Sequence, residues 1–150
     1  MNGTHAKYIE RCFELAEKGK GNVFPNPLVG AVIIKNGNVI GEGYHQKFGS
    51  DHAEIEAIKN ANQNLNGAIL YTNLEPCCHT NKQTPPCVPK IIQAGIKIVV
   101  ISNIDPNPEV AGKGVALLRK AGITVIENVM SEKGREINLE YFEMMEKKKG

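Results

Sequence analysis

Apolar residues recur at helical spacing through Tyr8, Ile9, Cys12, Phe13, Leu15 and Ala16, and Gly19 and Gly21 follow as stops. That pattern predicts a first amphipathic helix. A proline-rich approach, Val23-Phe24-Pro25-Asn26-Pro27, leads into residues 28–34, a run dense in β-branched side chains. Asn36-Gly37 is a hairpin turn signal, and residues 39–44 read as the returning strand. Asp51 precedes a second helix over residues 52–61, and residues 68–72 form a short buried strand. Residues 74–86, rich in Cys, Pro, Thr and Asn, read as a loop. Pro86 or Pro89 suits the first turn of a helix reaching Ala94, with Gly95 as its stop. Strands over 97–101 and 123–126 flank a helix over 113–120 that ends at Gly122, and one amphipathic helix closes the chain over 131–145.

Strand–helix alternation after the first hairpin predicts an α/β protein, a layered sheet with mixed strand directions. No repeat or linker interrupts the 150 residues, so a single domain over 1–150 is expected. Composition supports an ordinary folded protein, with 41% hydrophobic and 23% charged residues. Net charge is only +2, and the basic run 147–149 follows Glu146 at the C-terminus, so a nucleic-acid partner is not expected. No apolar run approaches the ~20 residues of a membrane span, and residues 1–11 lack the apolar core of a secretory signal. No membrane association and a cytoplasmic location are therefore expected.

Chemistry concentrates in the middle of the chain. Cys77, Cys78 and Cys87 fall within eleven positions, alongside His79. In a reducing compartment such clustering points to a metal or catalysis rather than to disulfides. Cys12 lies on the apolar face of the first helix and reads as core. His52-Ala53-Glu54 followed by Pro76-Cys77 matches the first part of a zinc-deaminase signature, H-x-E…P-C-x-x-C. The second part fails, because Thr80 stands three residues after Cys77. Cys87 is the preferred third ligand of a Zn2+ ion, since Pro85-Pro86 place it near a helix start where a thiolate is stabilised. Cys78 and His79 compete for that place, although adjacent side chains of an extended chain, such as Cys77 and Cys78, point to opposite faces.

His52 and Glu54 pose a geometric problem, since residues i and i+2 of a regular helix are about 200° apart. Both face one metal only if His52 sits at the helix entry, before the backbone becomes regular. Glu54 then suits the acid–base role, moving protons between water, ring and leaving amine. Each residue also has a plainer reading. Glu54 fits a capping box with Ser50 or Asp51, and the Cys/His cluster fits a closed structural zinc site.

The segments Pro25–Ile33, His52–Ile58, Leu74–His79, Thr84–Cys87 and Asp105–Gly114, reading PNPLVGAVI, HAEIEAI, LEPCCH, TPPC and DPNPEVAGKG, span most of the chain. In them the chain resembles the deaminase domain of the riboflavin-biosynthesis deaminase/reductase family, within the cytidine-deaminase-like superfamily. The resemblance implies a three-layer α-β-α fold on a five-stranded mixed sheet. It implies hydrolytic, zinc-dependent removal of the 2-amino group from 2,5-diamino-6-(5-phosphoribosylamino)pyrimidin-4(3H)-one. It further implies His52, Cys77 and Cys87 as metal ligands, Glu54 as the catalytic acid–base, and Asn26, His45, Asp105 and Asn107 as contacts to a phosphorylated pyrimidine. Asn26 and Asp105, each beside proline, also suit ordinary turn chemistry.

Two departures from the family pattern stand out. The family's G-[KR]-T-P-P-C stretch reads Asn81-Lys82-Gln83-Thr84-Pro85-Pro86-Cys87 here, with nine residues between the cysteines instead of eight. Gln83 occupies the basic position when counted back from Cys87, and Lys82 is expected to supply the phosphate-binding charge through a bulged loop. The chain also carries no reductase portion and no G-x-G-x-x-G dinucleotide fingerprint, so a separate reductase is expected for the next pathway step unless the chain is a fragment. Ile137, Tyr141, Phe142 and Met145 on the last helix suit either a homo-oligomer interface or packing on the sheet. The competing functional readings are deamination of guanine, cytosine or a tRNA adenosine, a non-catalytic zinc-binding module, and a regulatory partner of a reductase.

Overall fold

Five short β-rich runs pair into one sheet whose two faces are both covered by helices. The computed structural model describes residues 2–78 and 86–149. In chain order its elements are α1 (Asn2–Glu17), β1 (Gly30–Lys35), β2 (Asn38–Tyr44), α2 (Ala53–Asn60), β3 (Ile69–Leu74), α3 (Cys87–Gln93), β4 (Ile98–Asn103), α4 (Lys113–Lys120), β5 (Thr124–Ile126), α5 (Ser131–Ile137) and α6 (Leu139–Lys149). The sheet order is β2-β1-β3-β4-β5. β1 runs antiparallel to β2 and β3, and β3, β4 and β5 are mutually parallel. The expected five-stranded mixed α/β sheet is present. The β1–β2 turn forms at Asn36 and Gly37, both left-handed with φ of 53° and 78°, the backbone that an Asn-Gly hairpin favours.

The pleat sorts the strand residues into two cores. Ile33, Leu70, Val99 and Ile101 face Ala57 of α2, Ile91 of α3 and Leu118 of α4. Val32, Ile34, Tyr71 and Val100 face Ile9, Cys12 and Phe13 of α1 on the other side. Cys12 is thus a core residue. Burying each such large side chain contributes about 1.5–3 kcal/mol, which is why strands buried on both faces read as continuous apolar runs. Two glycines of β2 bring α2 in close: a Cβ on Gly43 would lie 2.5 Å from Ala57 N and 2.7 Å from Ala53 O. That approach sets the position of the α2 N-terminus, where His52 and Glu54 lie.

The expected single helix over 131–145 is two helices. α5 ends at Asn138, whose backbone leaves the helical region at φ −121° and ψ 31°. Its side-chain Oδ1 accepts from Leu28 N at 2.7 Å and its Nδ2 donates to Leu28 O at 2.8 Å. The amide thereby satisfies both polar groups of a distant residue, a competition with helix formation typical of Asn. Beyond the break, Tyr141, Phe142 and Met145 of α6 pack on Leu74 at the end of β3, and Ile137 packs into the α1-side core. These four residues are therefore used within the chain. No helix of the described residues is long and apolar enough to cross a membrane.

Candidate metal centre

Three side chains from three elements converge at the ends of β1 and β3. His52 is the residue immediately before α2, with extended backbone at φ −71° and ψ 163°, and it makes no side-chain capping bond. This resolves the two-residue spacing of His52 and Glu54: the histidine stands outside the helix and the glutamate on its first turn. The capping-box alternative fails for the same reason, since the cap position is His52 rather than Ser50 or Asp51, and Asp51 pairs with Lys59. Cys77 lies just beyond β3. Cys87 opens α3 behind Pro86, and the Cys87 and Val88 amides both donate to the Cys77 carbonyl at 3.1 Å.

His52 Nδ1 lies 3.5 Å from Cys77 Sγ and 3.4 Å from Cys87 Sγ, and the three ligand atoms all fall within 4.8 Å of one another. Tetrahedral zinc, at Zn–S ~2.3 Å and Zn–N ~2.0–2.1 Å, requires sulfur–nitrogen separations of about 3.6 Å. The donor set and its spacing fit that ion. The Cys77 thiol is pushed down to about 4, first by its hydrogen bond with Cys87 and then by His52, against the opposing effect of burial. The Cys87 amide adds a contact to its sulfur at 3.3 Å. Burial pushes the Cys78 thiol up, with the charge of Glu75 adding to it, and Cys78 stands outside the ligand group. His79, Lys82, Gln83 and Thr84 lie outside the described residues.

Beside the ligands is a cleft of about 420 Å³, part of it continuous with solvent, lined by Asn26, His45, His52, Glu54, Cys77, Asp105 and Tyr141 among others. Glu54 is buried there. His45 Nδ1 lies 3.1 Å from the Asp51 carbonyl and its Nε2 lies 3.1 Å from Asn26 Nδ2. A carbonyl only accepts, so His45 is protonated on Nδ1 and accepts from the Asn26 amide on Nε2. Its ring also meets that of His52 edge-on, with centroids 5.3 Å apart. Of the expected substrate contacts, Asn26, His45 and Asp105 line the cleft. Asn107 does not: its Oδ1 accepts from Glu109 N at 3.0 Å in a local turn, and its N–H donates to Asp105 Oδ1 at 2.9 Å.

Two residues of this region are not expected from the sequence to belong to the site. Glu75, buried in the lining of the cleft, accepts three backbone N–H groups: Asp105 (3.1 Å) and Gly112 (2.9 Å) on Oε1, and Val115 (2.9 Å) on Oε2. Tyr141 donates its hydroxyl to Asp105 Oδ1 at 2.8 Å. The LEPC motif contains the first of these, and the second hides in an apolar helical stripe.

Residues 2–103 match the model of the cytidine and deoxycytidylate deaminase zinc-binding region. The chain is 47% identical over 138 residues to the diaminohydroxyphosphoribosylamino-pyrimidine deaminase of Buchnera aphidicola subsp. Schizaphis graminum, covering 92% of this chain and 93% of that one. It is 49% identical over 135 residues to the riboflavin biosynthesis protein RibD of Aquifex aeolicus, covering 90% of this chain but 38% of that protein. The crystal structure of a diaminohydroxyphosphoribosylaminopyrimidine deaminase/5-amino-6-(5-phosphoribosylamino)uracil reductase from Thermotoga maritima superposes with a TM-score of 0.93 at 45% identity, over 98% of this chain and 42% of that one. The chain thus spans about two fifths of the two larger relatives and nearly all of the Buchnera deaminase.

Proposed function

This chain belongs to the cytidine and deoxycytidylate deaminase family, and from that premise we propose that it is a zinc-dependent aminohydrolase of riboflavin biosynthesis. Its substrate is 2,5-diamino-6-(5-phosphoribosylamino)pyrimidin-4(3H)-one, and its products are the 5-aminouracil ribotide and ammonia. The observation that carries this reading is the group of His52, Cys77 and Cys87, the first two of which line the cleft that also holds Glu54. Among the described residues three ligands gather beside an open cleft, which suits catalysis, whereas four closed ligands suit a structural site.

Bound by His52 Nδ1 and the two sulfurs, zinc supplies the Lewis acidity that makes water a nucleophile near pH ~7. The residues of the chain do the rest. Glu54 takes a proton from the attacking water and delivers it to the ring nitrogen beside the carbon under attack. It then carries the second water proton to the departing amine, so that the C–N bond breaks and ammonia leaves. Asn26, held by His45, presents an amide to the polar edge of the ring, and Asp105 presents a carboxylate. The cation of Lys82 is assigned to the substrate phosphate. The uracil product is the substrate of a reductase, an activity that the name of the Thermotoga maritima relative pairs with the deaminase.

The test is ammonia release from the diaminopyrimidinone ribotide by purified protein, with cytidine and guanine assayed in parallel and zinc measured per chain. Glu54→Gln is expected to keep its zinc and lose at least ~100-fold in kcat, the lower end for a positioned acid–base group. Activity on cytidine or guanine alone would overturn the substrate. A Glu54→Gln variant with full turnover would overturn the mechanism.

A further inference from the structure

Part of the cleft lining comes from outside the stretch that carries the candidate metal ligands. Asp105 enters it on the loop after β4, fixed from behind by its own N–H on Glu75 Oε1. Its Oδ1 receives two donors, the Asn107 N–H at 2.9 Å and the Tyr141 hydroxyl at 2.8 Å. Tyr141 is buried, 8% exposed, and its ring packs with Leu74 and Phe142. Burial first, then the neighbouring charge of Asp105, pushes its hydroxyl well above the ordinary tyrosine value, so it remains a donor. Three residues earlier, Asn138 holds both backbone groups of Leu28, and Leu28 continues the loop that carries Asn26 into the same cleft.

We infer that Tyr141 is a positioning residue of the deaminase site: its hydroxyl fixes the plane of the Asp105 carboxylate and keeps it an acceptor turned to the substrate. The segment 138–141 thereby references two walls of the cleft, the Asn26 loop and the Asp105 loop, to one short stretch of chain. The class of ligand follows from the chemistry. A carboxylate pinned by two donors accepts further N–H groups and repels acceptors, so it selects a heterocycle that presents amino or ring N–H groups. This inference rests on the deaminase reading above and adds to it the residue that orients the selecting group.

Tyr141→Phe removes one oxygen and keeps the ring that packs in the core. Steady-state kinetics on the diaminopyrimidinone ribotide are expected to show KM raised about tenfold, the loss of one hydrogen bond to a charged acceptor. kcat is expected to stay within about threefold, since the contact is made in ground state and transition state alike. Zinc per chain and the thermal midpoint report that the variant is folded. The same change is also made in an Asp105→Ala background, where it is expected to leave KM unchanged because the group it positions is gone. An unchanged KM for Tyr141→Phe, with parental enzyme active, overturns this inference alone. A rise in KM that persists in the Asp105→Ala background assigns the effect to packing and also overturns it. A parental protein that releases no ammonia overturns the substrate reading, and this inference with it.

Discussion

Replacing Glu75 by glutamine exchanges one oxygen for an NH2 group at the point where three backbone N–H groups converge. Gly112 and Asp105 donate to Oε1, and Val115 donates to Oε2. Gly112 and Val115 belong to the cap and first turn of α4, whose amides have no partner within the helix. With the amide oxygen kept on the Gly112 and Asp105 side, the new NH2 faces the Val115 N–H, donor against donor. Flipping the amide is worse, since it opposes two donors instead of one. The cost combines a lost hydrogen bond to a charged group, ~1.5–3 kcal/mol, with a buried N–H left unsatisfied, ~1–3 kcal/mol. We expect a loss of about 3–5 kcal/mol.

For a chain of this size each kcal/mol moves the midpoint by about 2–4 °C, so Glu75→Gln is expected to melt roughly 10 °C lower. The assay is thermal unfolding followed by far-UV circular dichroism at fixed zinc and protein concentration, since a ligand that binds only the folded state shifts the midpoint by mass action. Urea unfolding gives the free energy independently. A loss below ~1 kcal/mol would refute the reasoning, because it is smaller than the cost of even one orphaned amide.

Gly43→Ala tests the approach of α2 to β2. Its Cβ meets Ala57 N and the Glu56 side chain at 2.5 Å, so α2 must move outward, at a cost of about 1–3 kcal/mol. Because α2 carries Glu54, kcat is expected to fall by more than stability explains; an unchanged kcat in folded protein would separate the helix position from catalysis. Arg11→Met tests a surface pair. Arg11 bonds both Glu42 oxygens, at 2.8 and 2.9 Å, and this holds the Glu42 carboxyl below 4.5. A depressed carboxyl stabilises the fold above its unfolded pKa and loses that contribution as pH falls through the folded value. Both partners are partly exposed, so the substitution is expected to cost under ~1 kcal/mol at pH ~7 in urea unfolding, and the difference is expected to fade as the pH drops through the lowered Glu42 value. A difference that stays constant across that range would assign it to packing of the arginine stem.

The sheet was legible because its signals are local. Alternation and β-branched runs placed all five strands, Asn36-Gly37 placed the hairpin, and glycines at 95 and 122 closed two helices, both with positive φ. Of the candidate ligand group, His52 and Cys77 stand out by the H-x-E…P-C spacing, whereas donor types alone leave Cys78 and His79 beside Cys87 and only the TPPC resemblance favours Cys87. What was not legible is long-range. Asn138 reads as one polar residue in an amphipathic helix, and only its bonds to Leu28, 110 positions away, show why the helix stops there. Tyr141 reads as part of an apolar stripe, and its hydroxyl has meaning only beside Asp105. Asn107 likewise reads as a local turn residue, yet its side chain bonds both the Glu109 N–H and the distant Tyr141 hydroxyl.

The ligand group and the cleft walls obey different constraints, and the chain keeps them in different stretches. His52, Cys77 and Cys87 lie within the 2–103 match, where zinc itself dictates separations near those observed. Asp105, Asn138 and Tyr141 lie beyond it, and no metal geometry restricts them. Glu75 joins the two, since it stands two residues before Cys77 and holds the N–H of Asp105 directly. A shift of the Asp105 loop therefore reaches the strand end that carries Cys77 through that carboxylate, through the Glu75 N–H on the Asn103 carbonyl at 3.0 Å, and through Gly114, where a Cβ would lie 2.3 Å from the Pro76 carbonyl oxygen. On the proposed function, substitutions in the 105–141 segment or the Asn26 loop are expected to change kcat/KM between heterocycles while zinc per chain stays constant, which parallel ammonia-release assays and zinc quantitation check.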